Sequence, residues 1–286
     1  MRHSLIPAVP VPFRGTSINE AALRSYATWM SAQPVAGVAV WAHTGRGPHL
    51  TGEQRRLVLE VWREAMPDRI IVAGVRDITT AIEARRDHAD ALLVFPEAKD
   101  PVQHHKRLGR ELPVIAFHLY AAAGGVDYDD ATLDRILELP EVIGIKVATL
   151  DSVMTFQRIA DRVRAHPGKL LITGEDRFLG YSLMMGSDAA LIGMGGALTG
   201  LQARLIRAHA DGDLAAFHQL SAMVDRFSQV TFIPPIEGYI RRMLWAIAAE
   251  GAIPEDACND PWGPALPENE REAVQNAVRD ARAAGA

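Results

Sequence analysis

Lys146 closes an apolar, β-branched stretch, residues 142–149 (VIGIKVAT), whose composition is typical of a buried strand in a parallel sheet. An ammonium group at the end of such a strand is costly to desolvate, so burial lowers its pKa towards the neutral amine. Because a neutral amine attacks ketones, the position suits a lysine that forms a Schiff base. The stretch alone leaves open the alternative of a lysine whose head group extends past the strand into water.

The elements that must position this lysine follow a regular alternation of short apolar runs and amphipathic segments. The apolar runs are residues 5–11, 37–41, 69–74, 91–95, 113–118, 142–147, 169–173 and 189–192, and the amphipathic segments are residues 19–32, 52–65, 79–88, 101–110, 129–138, 152–165 and 177–185. Eight βα units within about 200 residues favour a closed barrel over an open doubly wound sheet. No Gly-x-Gly-x-x-Gly sequence follows the first run, which weakens the dinucleotide-binding alternative.

The last third of the chain has a helical pattern throughout, with apolar residues at helical spacing and turns marked by glycine and proline. The predicted helices are residues 201–210, 213–230, 236–250 and 268–284. We therefore predict an α/β fold: a (β/α)₈ TIM barrel over residues 1–212 with a C-terminal helical extension, a subdomain over residues 213–286 that packs on the barrel.

Composition excludes several classes of protein. The formal net charge of -5 gives no electrostatic basis for binding nucleic acid or an anionic membrane. The one cysteine, Cys258, excludes an intramolecular disulfide and a cysteine-rich metal site. The first residues lack the apolar core of a secretory signal, and no apolar run is long enough for a membrane span. We expect a soluble, cytoplasmic protein without a metal site.

In a barrel of this kind, functional side chains lie at the C-terminal ends of the strands. Lys146 is the only lysine that closes an apolar run at that face, since Lys99 lies in a polar loop and Lys169 opens a strand at the opposite face. The other candidates at the same face are His43, Thr44, Gly45, Arg46, Arg76, Phe117, Tyr120, Gly174, Asp176 and Gly193.

The order and spacing of these motifs resemble a known family, the class I Schiff-base aldolases and lyases typified by dihydrodipicolinate synthase and N-acetylneuraminate lyase. The matching motifs are the Gly-Ile-Lys strand at 144–146, the Thr44-Gly45 turn, Pro96, and Gly174 with Asp176, and the resemblance extends from about residue 6 to residue 284. It implies that the lysine amine condenses with pyruvate or another 2-oxo acid. The protonated imine then acts as an electron sink, so that a C–C bond to an aldehyde partner can form or break.

The same resemblance implies the roles of individual residues. Lys146 is the nucleophile, and Thr44 and Gly45 hold the substrate carboxylate with the backbone amides of their turn. Phe117, Gly174 and Gly193 fall at positions that line the substrate site. No cofactor is implied, because the lysine itself supplies the electron sink.

Departures from the family pattern affect the proton-transfer group. The turn after the second predicted strand reads AHTGRG, so that His43 replaces a hydroxyl residue and Arg46 replaces an acid. The tyrosine at the end of the fifth strand, the family's proton shuttle, is replaced by Phe117. A phenyl ring has no proton to relay, which leaves His43, Tyr120 and His118 as possible substitutes. His118 alternates with Phe117 and should face the helices, so we expect His43 or Tyr120 to transfer the proton. We favour His43, because histidine side chains titrate near neutral pH and this one precedes the carboxylate-binding turn.

Other departures concern the second substrate. The arginine that often helps to select it in the family falls at Ala122 or Ala123, which suggests an acceptor less polar than a sugar or an amino-acid semialdehyde. Arg46 and Arg76 could bind a second carboxylate or a phosphate, or could be solvated or held in salt bridges.

Three functions follow, of which the first is favoured. It is a lyase or aldolase that forms an imine between Lys146 and a 2-oxo acid and makes or cleaves a C–C bond with an aldehyde. The alternatives are an imine-dependent dehydratase or decarboxylase of a 2-oxo sugar acid, and a catalytically degenerate homologue that only binds a keto acid. The resemblance also implies a homo-oligomer, a dimer or a tetramer. Segment 80–113 is shorter than is usual in the family, which favours a dimer or a rearranged tetramer.

Overall fold

The computed structural model describes residues 1–285, so Ala286, the last residue of the predicted C-terminal subdomain, lies outside the described residues. The strands are β1 (Leu5–Pro7), β2 (Phe13–Arg14), β3 (Ser17–Ile18), β4 (Gly37–Val40), β5 (Ile70–Val75), β6 (Ala91–Val94), β7 (Val114–Leu119), β8 (Val142–Ala148), β9 (Leu170–Thr173) and β10 (Ala189–Ile192). Eight of them form one parallel sheet in the order β1-β10-β9-β8-β7-β6-β5-β4. A bridge between Ala8 and Ala39 joins β1 to β4 and closes the barrel.

Helices alternate with the barrel strands as the sequence predicts. They are α1 (Glu20–Ser31), α2 (Gly52–Ala65), α3 (Ile78–Arg86), α4 (Pro101–Leu108), α5 (Asp130–Leu137), α6 (Val153–Arg164), α7 (Leu179–Met184), α8 (Thr199–Ala210), α9 (Leu214–Thr231), α10 (Tyr239–Ala249) and α11 (Glu268–Ala283). Polar side chains begin several of them: Thr51 forms a capping box with Gln54, and Asp129 accepts a hydrogen bond from the Thr132 amide. The α/β fold, a (β/α)₈ barrel with C-terminal helices, is therefore confirmed.

Side-chain alternation along the strands divides the core into two apolar clusters. The inner cluster fills the barrel and includes Ile6, Val72, Ile115 and Phe117. The outer cluster lies between the strands and the helices. Because β7 and β8 run to the C-terminal rim, their inward-facing residues continue from the packed interior into the region where a substrate site is expected.

Two local features differ from the sequence predictions. The first strand ends at Pro7 and not at residue 11, because Pro10 and Pro12 have no N–H for a ladder hydrogen bond. The antiparallel β2–β3 hairpin that follows was not predicted, since strands of two residues are too short to show alternation. In the described part of the chain, none of the helices combines the length and the apolar character that a membrane crossing requires.

Candidate active site

Lys146 lies on β8, the sixth strand of the barrel, and pairs in register with Phe117 of β7 and Ile172 of β9. Its side chain points into the barrel and is 6% exposed. Burial lowers the pKa of Lys146 to about 8, although the negative charges of Asp176 and Glu175 act in the opposite direction. The amine thus has the buried position that its place in the sequence predicts.

A small cavity surrounds the end of this side chain. The residues that line it are His43, Thr44, Phe117, Leu119, Tyr120, Lys146, Ala148, Leu150, Gly174, Asp176, Gly193, Phe232 and Tyr239. Of the residues given a catalytic or substrate-binding role from the sequence, only Gly45 is missing from this lining, and the rim arginines Arg46 and Arg76 do not line it either. The Gly45 amide donates to the Ala42 carbonyl at 3.1 Å, and a Cβ at Gly45 would lie 2.9 Å from the Val9 carbonyl oxygen. Gly45 therefore shapes the turn that carries Thr44.

The two glycines of the cavity make room for functional side chains. A Cβ at Gly174 would lie 2.6 Å from Cε of Lys146, closer than two non-bonded carbon atoms can approach. A Cβ at Gly193 would lie 3.1 Å from both Thr44 Oγ1 and a ring carbon of Tyr239. These positions explain the predicted glycines by close approach: one leaves space for the lysine and the other for a pair of hydroxyl groups.

A chain of hydrogen bonds runs along one side of the cavity. The Tyr239 hydroxyl lies 3.0 Å from Thr44 Oγ1 and 3.1 Å from His43 Nδ1. His43 Nε2 lies 3.2 Å from Glu237 Oε2, and Glu237 Oε1 accepts a hydrogen bond from the Tyr120 hydroxyl at 2.7 Å. Tyr239 and Glu237 come from the C-terminal segment and were missed from the sequence, because the prediction considered strand ends only.

The charge of Glu237 fixes the direction of these bonds. Burial raises its pKa, but hydrogen bonds from His43 and Tyr120 and the nearby charge of Arg46 outweigh this and lower the pKa to about 2. An ionised carboxylate only accepts, so Nε2 of His43 donates to Glu237. In the tautomer that carries its one proton on Nε2, Nδ1 of His43 accepts from the Tyr239 hydroxyl. Because Tyr239 has one proton, Thr44 donates to Tyr239. Burial raises the pKa of Tyr239 and keeps its hydroxyl protonated.

Arg46 is fully engaged within the protein. Its guanidinium binds both carboxylate oxygens of Asp260, at 3.0 and 2.7 Å, and Glu237 at 3.2 Å. Both partners of the Arg46–Asp260 pair are buried. The sequence left open whether this arginine binds a substrate or is held in a salt bridge, and the structure gives the second answer. The pair ties the turn after β4 to the segment before α11.

Two buried carboxylates stand near the lysine at the end of β9. Asp176 accepts a hydrogen bond from the Met194 amide at 2.6 Å, and burial raises its pKa. Glu175 accepts from the amides of Thr149 and Leu150 at 2.6 and 2.8 Å, and burial raises its pKa to about 7. Glu175 thereby holds the loop that follows Lys146. Within residues 1–285, no group of three or more potential ligands is arranged to hold a metal ion.

Phe117 occupies the position where the family resemblance places a tyrosine. Its ring centroid lies 4.3 Å from the Lys146 Nζ, and it packs against Phe95 at 5.6 Å. The next residue, His118, points out of the barrel and lines a separate cleft beside Asp127. The end of β7 therefore presents an apolar ring to the amine, with no hydroxyl at that position.

A (β/α)₈ barrel with a buried lysine of lowered pKa at the end of its sixth strand, beside hydroxyl and carboxylate groups, defines a class I aldolase or lyase, an enzyme that acts on small molecules through a lysine Schiff base. Comparison with known proteins identifies the family. The model of the dihydrodipicolinate synthetase family matches residues 1–281, and the chain belongs to this family.

Individual relatives agree with this assignment. The chain is 27% identical to the 4-hydroxy-tetrahydrodipicolinate synthase of Rhodospirillum centenum over 266 residues, which cover 88% of this chain and 89% of the relative. Among solved structures, a monomeric dihydrodipicolinate synthase variant has a TM-score of 0.87 at 18% identity, covering 99% of this chain and 97% of the other. The N-acetylneuraminate lyase of Mycoplasma synoviae has a TM-score of 0.78 at 18% identity, covering 96% of each chain. These structures share the fold.

Proposed function

We propose that this enzyme forms an imine between Lys146 and pyruvate or another 2-oxo acid, and then makes or cleaves a C–C bond with an aldehyde partner. The observation that carries the proposal is the buried amine in a cavity, with its pKa lowered to about 8. At pH 7 such an amine is neutral in roughly a tenth of the molecules, against fewer than about one in a thousand for an ordinary lysine. Burial thus raises the concentration of the reactive form about 300-fold.

The chemistry proceeds through an enamine. The neutral amine of Lys146 adds to the C2 carbonyl, and water leaves as the imine forms. Loss of a proton from C3 gives the enamine, which attacks the aldehyde carbon, and the aldehyde oxygen takes up a proton. Hydrolysis of the imine then consumes water and frees the product. The Thr44 backbone N–H donates to no acceptor within residues 1–285, and in this proposal it binds the substrate carboxylate, held in place by the turn at Gly45.

Tyr239 is the proton-transfer group in this proposal. Its hydroxyl lines the cavity and is hydrogen-bonded to His43, which Glu237 orients, the order of a reacting group, its base and the group that fixes the base. In the cleavage direction, the aldol hydroxyl gives its proton to the Tyr239 oxygen while Tyr239 passes its own proton to His43 Nδ1. The C–C bond breaks, its electron pair enters the enamine, and the aldehyde carbonyl forms. In the synthetic direction the protons move back: the aldehyde oxygen takes a proton from Tyr239, and Tyr239 regains one from His43 Nδ1.

The two residues expected from the sequence to shuttle the proton take supporting roles in this scheme. His43 acts through Tyr239, since both of its ring nitrogens have protein partners. Tyr120 commits its proton to Glu237 and so holds that carboxylate in place. Phe117 and the glycines Gly174 and Gly193 shape the cavity around the substrate.

Borohydride reduction in the presence of pyruvate tests the imine directly. Intact-protein mass spectrometry should show one added pyruvate-derived group on the wild type and none on Lys146→Ala. Lys99→Ala, which removes an exposed lysine outside the cavity, is the matched control and should be modified like the wild type. Modification of another lysine with Lys146 untouched would refute the proposal.

One observation favours a second candidate. The apolar ring of Phe117 lies 4.3 Å from the amine where a hydroxyl group would serve aldol chemistry, and an imine-dependent dehydratase or decarboxylase of 2-oxo sugar acids makes no use of an aldehyde. Assays for loss of water or CO₂ from such acids separate the two candidates once trapping has shown the imine. Trapping without any turnover would instead indicate a homologue that only binds a keto acid.

The proposal extends to the assembly of the protein. Residues 213–286 act as a subdomain that completes the site, since Phe232, Glu237 and Tyr239 belong to it. The family resemblance supports a homo-oligomer, a dimer or a tetramer, although one of the similar solved structures is described as monomeric. Light scattering at micromolar concentration tests this, and a monomer would refute it. A cytoplasmic location is part of the same proposal, in keeping with a chain that has one cysteine.

A further inference from the structure

The cavity has two chemically different walls. Phe117 and Lys146 are register partners, and two residues further along the same strands Leu119 and Ala148 are partners as well. Because side chains alternate across a strand, all four face the interior. Phe117, Leu119 and Ala148, with Leu150 in the loop beyond β8, form an apolar wall beside the amine.

The opposite wall is polar and is used by the proposed chemistry. It consists of Thr44, His43 and Tyr239, and Asp176 lines the same cavity. In the proposed chemistry, this wall binds the carboxylate and the reacting oxygen of the acid. The substituent of the aldehyde, which is attached to the far side of its carbonyl carbon, is left to contact the apolar wall.

The described lining of the cavity offers no free cation for a second acid group. Arg76, exposed at the same rim, stacks over the Phe95 ring at 5.0 Å and does not line the cavity. Among the cavity-lining residues that the structure describes, Lys146 is the only lysine or arginine, and the imine uses it. The Arg46 guanidinium is bound by Asp260 and Glu237 and is 5% exposed. Burial of an anion without a partner is costly, and a second carboxylate would also meet the fixed negative charge of Glu237 behind the polar wall.

We infer that the acceptor is an uncharged aldehyde with an aliphatic or aromatic substituent, bound against Phe117, Leu119, Ala148 and Leu150, and not an aldehyde that carries a carboxylate or several hydroxyl groups. The inference rests on the proposed imine chemistry and adds the class of the second substrate. Each methylene group buried against this wall should raise kcat/KM about fourfold.

Two readouts keep this inference separate from the proposed function. Exchange of the C3 hydrogens of pyruvate in deuterated water, followed by NMR, reports imine and enamine formation with no acceptor present. Competition between acceptors then compares ethanal, propanal, butanal and benzaldehyde with glyoxylate, succinic semialdehyde, aspartate semialdehyde and glyceraldehyde. We expect kcat/KM to rise about fourfold per methylene from ethanal to butanal, and butanal to exceed succinic semialdehyde by at least about tenfold.

Absence of exchange refutes the proposed function and this inference with it. Exchange together with a preference for the acid-bearing or hydroxylated aldehydes, or with no product from any uncharged aldehyde, overturns the inference alone.

A variant pair tests the wall itself. Leu150→Arg places a cation at the outer end of the apolar wall and should raise the kcat/KM ratio of succinic semialdehyde to butanal at least about tenfold. Leu214→Arg makes the same substitution at an exposed leucine on α9 and should keep the wild-type ratio. An unchanged ratio in Leu150→Arg, in protein that still exchanges the C3 hydrogens, would show that the acceptor does not contact this wall.

Discussion

Tyr239→Phe is the substitution that most directly tests the proposed proton transfer. It removes one oxygen atom, and with it the contacts to Thr44 and His43 at 3.0 and 3.1 Å. The ring should stay in place, because it stacks on Phe232 with centroids 4.6 Å apart. A well-placed general acid or base contributes about 10² to 10⁴ in rate, which corresponds to about 3 to 5 kcal/mol of transition-state stabilisation.

The cost to folding should be smaller than this kinetic effect. Loss of one buried hydroxyl that bonds two neighbours lowers the free energy of unfolding by about 1 to 3 kcal/mol, so the variant should fold. The assay measures turnover with the aldehyde that the acceptor competition selects, beside borohydride trapping with pyruvate. We expect turnover to fall about 10² to 10⁴-fold while trapping stays near the wild-type level, because imine formation needs the amine of Lys146 and not the Tyr239 hydroxyl.

Two other tyrosines provide controls. Tyr128→Phe removes a hydroxyl that contacts the Glu97 backbone, away from the cavity, and should leave turnover unchanged. Tyr120→Phe removes one of the donors to Glu237 and should reduce turnover less than Tyr239→Phe does. Wild-type turnover in Tyr239→Phe, or a larger loss in Tyr120→Phe, would mean that Tyr239 is not the proton-transfer group.

Three further predictions concern the lysine, its space and the fold. With the pKa of Lys146 lowered to about 8, the amine becomes neutral as pH rises, so the trapping rate should increase up to about pH 8 and then level off. Asp176→Asn removes a negative charge that raises the pKa of Lys146, so in this variant the increase should occur at lower pH. Gly174→Ala, whose Cβ would lie 2.6 Å from the lysine Cε and 2.9 Å from the Val147 carbonyl oxygen, should reduce trapping at least about tenfold in protein that circular dichroism shows to be folded. Asp260→Ala leaves the buried Arg46 without its bidentate partner and should lower the free energy of unfolding by about 3 to 5 kcal/mol, measured by denaturant titration.

The controls use positions without such contacts. Gly200 lies in α8 with no atom within 4 Å of a built Cβ, so Gly200→Ala should trap pyruvate like the wild type. Arg24 makes only exposed ion pairs, and Arg24→Ala should unfold at nearly the wild-type denaturant concentration. Normal trapping in Gly174→Ala, a trapping profile that rises only near pH 10, or a wild-type unfolding midpoint in Asp260→Ala would each contradict the corresponding argument.

The fold and the position of the proposed nucleophile follow from local sequence patterns, and the proposed proton-transfer group does not. Strand and helix periodicity is a property of neighbouring residues, so the βα alternation and the position of Lys146 at a strand end could be predicted. The Thr44–Tyr239 contact joins residues 195 positions apart and depends on where α10 begins, which periodicity does not specify. Gly45 shows the same limit at short range, because its place in the motif does not reveal that its amide is already bonded to Ala42.

The nucleophile, the proposed acid and the apolar wall lie on different parts of the chain. Lys146 is on β8, Tyr239 is at the start of α10, and Phe117 and Leu119 are on β7. Where a strand residue is the proton donor, that residue cannot be substituted without loss of activity. In this protein the proposed donor is not on β7, and Phe117 and Leu119 of β7 only contact the substrate in the proposed scheme. In the proposed scheme, substitution of Leu119 on β7 can therefore change which aldehydes are accepted without altering either reacting side chain. In a lineage of such enzymes, substrate range can diverge through a few strand positions, and in the laboratory residues 117 and 119 are the first positions to randomise for new acceptors.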